Sequence, residues 1–127
     1  MRIEHVAVWT RNLDRLRDFY VRNFGCSSGD KYTNAAKGFS SYMLCFESGA
    51  RLELMSRTDV TERTSQSPQV GYAHFALALG SEEAVRQWTE KLRKAGVPVA
   101  SEPRRTGDGY YESAVLDPDG NTVELTV

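Results

Sequence analysis

The chain holds only two histidines in 127 residues, and both fall at the same place in a repeated pattern. His5 lies in Ile3-Glu4-His5-Val6-Ala7-Val8 and His74 in Tyr72-Ala73-His74-Phe75-Ala76-Leu77, two short β-like runs. Each run is followed by a helical stretch, then by strand-like segments that end on a glycine turn and a Glu-Leu pair. The endings are Gly49-Ala50-Arg51-Leu52-Glu53-Leu54 and Gly120-Asn121-Thr122-Val123-Glu124-Leu125. His5 precedes Glu53 by 48 positions and His74 precedes Glu124 by 50. An internal duplication is the simplest source of such a match, and it commits the chain to two copies of one supersecondary unit.

The helices are legible from their ends. Asn12 caps a stretch with apolar positions at Leu13, Leu16, Phe19, Tyr20 and Phe24, and Gly25 stands where it stops. Ser81 caps a second, with Glu82 and Glu83 in the dipole-favoured first turn and Ala84, Val85, Trp88, Leu92 and Ala95 as its apolar positions. Gly96 and Pro98 end it. Both stretches are amphipathic, so each is expected to cover one face of a sheet. The predicted fold is therefore α+β: two tandem βαβββ repeats forming a curved mixed sheet with the helices outside. Repeat 1 spans about 1–57 and repeat 2 about 71–127 of a single domain, joined by a polar linker over about 58–70 that includes Pro68. Asp117-Pro118-Asp119-Gly120 predicts a tight turn between the last two strands.

Strand alternation gives the histidines and glutamates a common direction. Leu52 and Leu54 flank Glu53, Val123 and Leu125 flank Glu124, and Ala73 and Phe75 flank His74. If the aliphatic face packs beneath the helices, His5, Glu53, His74 and Glu124 turn to the opposite face. Two imidazoles and two carboxylates make a charge-balanced ligand set for one divalent ion, with nickel, zinc, cobalt, iron and manganese all suited to mixed nitrogen and oxygen donors. Cys26 and Cys45 form no CxxC pair and are expected to be reduced, buried small hydrophobes.

Composition excludes other classes. With 16 basic against 17 acidic side chains, the chain has no charge surplus for nucleic acid or an anionic membrane. No stretch approaches the length of a membrane span and the N-terminus lacks a signal-peptide pattern, so a cytoplasmic protein is expected.

The whole chain resembles the vicinal oxygen chelate superfamily, and within it glyoxalase I. The likeness is carried by His5-Val-Ala-Val, the helix from Asn12 to Gly25, Arg51-Leu-Glu-Leu, His74-Phe-Ala-Leu and Asp117-Pro-Asp-Gly-Asn-Thr-Val-Glu-Leu. The resemblance implies a cup-shaped sheet, a homodimer and a metal-dependent lyase or isomerase. Its small-molecule substrate would carry vicinal oxygens, as a 2-oxoaldehyde–thiol adduct does, and would react through an enediolate. Glu124, with Glu53 as counterpart, would carry the proton. A thiol cosubstrate is implied. Trp9 and Arg57, however, stand where bacterial relatives place an arginine and an asparagine that hold glutathione, which argues against glutathione itself. Trp9, Arg57, Arg104, Arg105 and Tyr111 are the expected substrate contacts, the last three in a candidate lid running from Arg104 to Glu112. A related dioxygenase or transferase would manage without Glu53, and a drug-binding protein of the bleomycin-resistance type would need no metal at all.

Overall fold

The computed structural model describes residues 1–62, 68 and 70–127. The chain forms two compact units, Met1–Gln66 and Ser67–Val127. The expected linker over 58–70 falls partly on residues 63–67 and 69, outside the described residues.

In the first unit, strand β1 (His5–Trp9) leads into helix α1 (Leu13–Phe24), followed by β2 (Ser27–Ser28), β3 (Tyr32–Asn34), a single 3₁₀ turn (Ala35–Lys37), β4 (Phe39–Cys45) and β5 (Arg51–Arg57). The sheet runs β1-β5-β4-β2, with β3 also paired to β4; β1 and β5 are parallel and the other pairs antiparallel. The expected third strand is thus two short pieces, β2 and β3, laid along β4. The second unit follows the expected order without interruption: β6 (His74–Ala78), α2 (Glu82–Lys94), β7 (Val99–Arg105), β8 (Tyr111–Leu116) and β9 (Thr122–Thr126). Its sheet runs β6-β9-β8-β7, again with one parallel pair, β6 and β9.

The caps act as their residue types require. The Asn12 side chain accepts from the Arg15 N–H and the Ser81 hydroxyl from the Ala84 N–H, each satisfying an orphan amide of the first turn. In α1, Leu13, Leu16 and Tyr20 are buried as expected, while Phe19 and Phe24 are half-buried and pack edge-on within an aromatic cluster around Tyr20. In α2 the buried residues are Val85, Thr89 and Leu92, and Ala95 is exposed. Thr89 reads as polar in the sequence. It is buried because its hydroxyl donates to the Val85 carbonyl (2.7 Å) and meets the Ser113 hydroxyl of β8 (2.7 Å). Leu44, Leu52 and Leu54 fill the sheet face beneath α1, and Val115, Val123 and Leu125 that beneath α2. Burying such side chains stabilises each unit by roughly 1.5–3 kcal/mol apiece.

Cys26 is buried, but Cys45 is exposed, contrary to expectation, since it ends β4 on the side opposite the Leu44 core face. Burial pushes the Cys26 thiol up to about 11, so it remains protonated at neutral pH. Among the described residues, no helix is long and apolar enough to cross a membrane.

Candidate metal centre

Strand register decides which side chains share a face. In the parallel pair β1–β5, His5 aligns with Arg51, Ala7 with Glu53 and Trp9 with Met55. His5, Ala7 and Trp9 therefore share one face with Arg51, Glu53, Met55 and Arg57, while buried Leu52 and Leu54 take the helix-covered side. The second unit repeats this step for step: His74 aligns with Thr122 and Ala76 with Glu124, with buried Val123 and Leu125 beneath α2. Each unit thus presents one histidine and one glutamate on its helix-free face, two residues out of register.

The side-chain atoms meet. His5 Nε2 lies 3.8 Å from Glu53 Oε2, and His74 Nε2 lies 3.2 Å from Glu124 Oε2. The histidine side chains are 43% and 42% exposed and the glutamates 21% and 18%, so both pairs are reachable by small solutes yet partly desolvated. Metal–ligand bonds of about 2.0–2.2 Å at right-angled to tetrahedral ligand angles put neighbouring nitrogen and oxygen donors about 3.0–3.5 Å apart. The His74–Glu124 pair has that spacing, and the His5–Glu53 pair reaches it by a small side-chain adjustment. The donor chemistry of each pair, one imidazole nitrogen and one carboxylate oxygen, is of the kind a divalent ion takes. Among the described residues, no group of three or more His, Cys, Asp or Glu side chains is gathered for a metal. The geometric unit is therefore the pair.

His5 also carries a neighbour that the sequence reading passed over. Its Nδ1 lies 2.6 Å from Glu4 Oε2, and the other Glu4 oxygen is ion-paired with Arg51. The hydrogen bond with His5 and, behind it, Arg51 hold the Glu4 carboxyl below its ordinary value. The sequence signal was a carboxylate immediately preceding the histidine.

The expected substrate contacts divide between faces. Trp9 is on the His5 face, 44% exposed, in edge-to-face contact with Phe39 (6.3 Å between ring centres), which in turn meets Tyr32 (6.2 Å). Register places Phe39 and Tyr32 on that face too, so the aromatic wall is larger than Trp9 alone suggested. The Arg57 guanidinium sits 5.3 Å from the Trp9 ring centre and is held by Asp59, its Nε donating to Oδ1 at 2.5 Å. That bond, with the charge of Asp59, raises the pKa of Arg57 further, so it is a fixed cation. Arg57 also borders a cavity of about 290 Å³ with Arg11, Ser40, Ser56, Thr58 and Val60. Gly38 lines it because a Cβ there would lie 2.8 Å from the Thr58 side chain.

In the second unit, Arg104 aligns with Glu112, whose next same-face neighbour Ala114 aligns with Glu124. Arg104 therefore lies on the Glu124 face, where it pairs with Glu112 at 3.2 Å. Tyr111 and Arg105 do not. They align with each other on the side of buried Ser113 and Val115, where the Tyr111 hydroxyl accepts from Arg86 and Arg105 pairs with Glu82, both on α2. Alternation along β8 thus removes both residues from the ligand face and makes them helix-to-sheet ties. The expected lid is a closed hairpin tip: the Thr106 N–H donates to the Tyr110 carbonyl and Arg105 Nη1 to the Gly109 carbonyl.

Fold and site together define a class: tandem βαβββ units, each bearing a histidine on its first strand and a glutamate on its last. The sequence profile of the Glyoxalase/Bleomycin resistance protein/Dioxygenase superfamily matches residues 2–125, and the chain belongs to that family. Among solved structures it is similar to the trypanothione-dependent glyoxalase I of Leishmania major, at 26% identity over 99% of this chain and 86% of that one, with a TM-score of 0.79. It also shares its fold with a glyoxalase family protein from Enterococcus faecalis (24% identity, 98% of this chain and 96% of that one, TM-score 0.81). A glyoxylase/bleomycin resistance protein/dioxygenase domain from Frankia sp. EAN1pec has the same fold (16% identity, 100% and 97% coverage, TM-score 0.85). No curated protein matches the sequence significantly.

Proposed function

We propose that this protein is a metal-dependent lyase or isomerase of the glyoxalase I type, acting on a small substrate with two vicinal oxygens, such as a 2-oxoaldehyde–thiol adduct. The observation that carries the reading is the twofold recurrence of the histidine–glutamate pair at one register on the helix-free face of each unit. A four-ligand set built from both pairs includes Glu53, the residue a three-ligand dioxygenase or transferase would not need. The similarity at 26% identity to a glyoxalase I supports the same reaction class.

His5, Glu53, His74 and Glu124 would hold a divalent ion, which would supply Lewis-acid stabilisation of negative charge on the substrate's oxygens. The chain supplies the proton traffic. Glu124, with an oxygen 3.2 Å from its histidine and a partly desolvated side chain, takes a proton from one substrate carbon and returns it to the next. Glu53 is its counterpart in the other pair. Trp9, Phe39 and Tyr32 offer an apolar wall beside the first pair, and Arg57 a fixed cation at its edge. The aromatic wall suits a thiol carrier less polar than glutathione. A homodimer belongs to the proposal, since either one chain or two can supply the two pairs.

The test is an isomerisation assay with 2-oxoaldehyde adducts of several thiols, on protein loaded separately with nickel and zinc. The expected result is adduct loss well above that of free metal, abolished by Glu124→Gln. Loaded wild type that is no faster than free metal across the panel would overturn the enzyme reading in favour of a binding module.

A further inference from the structure

The two pairs are matched in register but not in support. Glu4 precedes His5 and is held at three points: its carbonyl accepts from the Arg51 N–H at 3.0 Å, one carboxylate oxygen pairs with the Arg51 guanidinium, and the other faces His5 Nδ1 at 2.6 Å. In the second unit the residue preceding His74 is Ala73, and the β9 residue aligned with His74, as Arg51 is with His5, is Thr122. Both members of the support are thus absent from the second copy, the carboxylate and the guanidinium alike.

We propose that Glu4, anchored by Arg51, is a positioning residue that fixes His5 in the Nδ1–H tautomer and turns its Nε2 lone pair toward Glu53. An ionised carboxylate only accepts hydrogen bonds, so the ring nitrogen at 2.6 Å from it must carry the proton. In a neutral imidazole that leaves Nε2 as the donor atom, and Nε2 is the nitrogen facing Glu53 at 3.8 Å. The carboxylate also strengthens the ring as a ligand, as carboxylate–histidine couples do around bound metals. Arg51 holds the Glu4 carboxylate against turning to solvent. His5 is then the ligand of the duplicated set whose Nδ1 is clamped from behind, whereas His74 meets its carboxylate only through Nε2, 3.2 Å from Glu124 Oε2. What the clamp serves rests on the metal reading above; the tautomer it imposes does not.

The experiment records long-range proton–nitrogen NMR spectra of the isotope-labelled, metal-free full chain, at alkaline pH where both imidazoles are neutral. Wild type, Glu4→Ala and Arg51→Met are compared, followed by zinc titration of each. His5 is expected as nearly pure Nδ1–H in wild type and as a tautomer mixture in Glu4→Ala, with Arg51→Met between them and His74 unchanged throughout. Zinc affinity in Glu4→Ala is expected to fall about tenfold or more. Identical His5 nitrogen shifts in wild type and Glu4→Ala would overturn the clamp, and an unchanged zinc affinity would overturn its role in ligation. Wild type that shows the Nδ1–H tautomer but takes up no zinc would refute the metal reading while leaving the clamp standing.

Discussion

Replacing Asp117 by alanine should destabilise the protein more than any other single change in a turn. Asp117 is buried at the mouth of the β8–β9 connection, where its carboxylate accepts three hydrogen bonds: from the Asp119 N–H (2.9 Å), the Asn121 N–H (2.9 Å) and the Asn121 side-chain amide (2.8 Å). Its own N–H donates to the Asn121 carbonyl, and Gly120, at φ 78°, adopts the left-handed conformation that closes the turn. A hydrogen bond to a charged group contributes about 1.5–3 kcal/mol, and alanine leaves the backbone donors without their acceptor. Allowing water to satisfy some of them, the net loss should be about 3 kcal/mol, and about half that for Asp117→Asn, which keeps one oxygen acceptor. Urea denaturation followed by far-ultraviolet circular dichroism measures it; at slopes of about 1–3 kcal/mol per molar, the midpoint should fall by about 1 M or more. Because the turn sets the entry of β9, the variant should also loosen the strand that carries Glu124. A change below about 0.5 kcal/mol for Asp117→Ala would show that the carboxylate does not organise the turn.

Three further outcomes follow from which groups are buried and which exposed. Thr89→Val leaves the Ser113 hydroxyl buried without its partner and should cost about 1–3 kcal/mol, whereas Thr89→Val combined with Ser113→Ala should cost less than the single change; additive losses would refute the pairing. Cys45 should react with a thiol reagent in the native protein, while Cys26 reacts only on denaturation. The folded-state value of Cys26 is raised above its ordinary 9.0, so its contribution to stability holds below pH 9 and is lost as pH rises through about 11. A Cys26→Ala variant should therefore show a flatter alkaline stability profile, and an unchanged profile would contradict the assignment.

The features legible in the sequence were those written in local chemistry. Asn12, Ser81, Gly25 and the Asp117–Gly120 turn each announce themselves because caps and turns need particular side chains at particular places. Alternation placed Glu53 and Glu124 opposite the helix because both neighbours of each are aliphatic. What stayed hidden depended on partners distant in sequence. Thr89 looks like a surface residue until β8 brings Ser113 to it. The choice between Tyr111 and Glu112 for the ligand face was an unresolved parity, since both neighbours of either are plausible in a hairpin; the β8–β9 register settled it against Tyr111 and Arg105. The Glu4–Arg51 pair required the parallel alignment of β1 with β5, across residues 47 apart in sequence, which no local pattern encodes.

The proposed activity requires a divalent ion at the histidine–glutamate pairs. Metal content after zinc loading and dialysis, measured by elemental mass spectrometry on wild type, Glu53→Gln and Glu124→Gln, tests it most directly. About one ion per chain is expected in wild type, with both variants clearly depleted, because each glutamate is proposed as one of the anionic donors. A wild type that retains no zinc would contradict it, as would a Glu53→Gln variant that retains as much as the wild type.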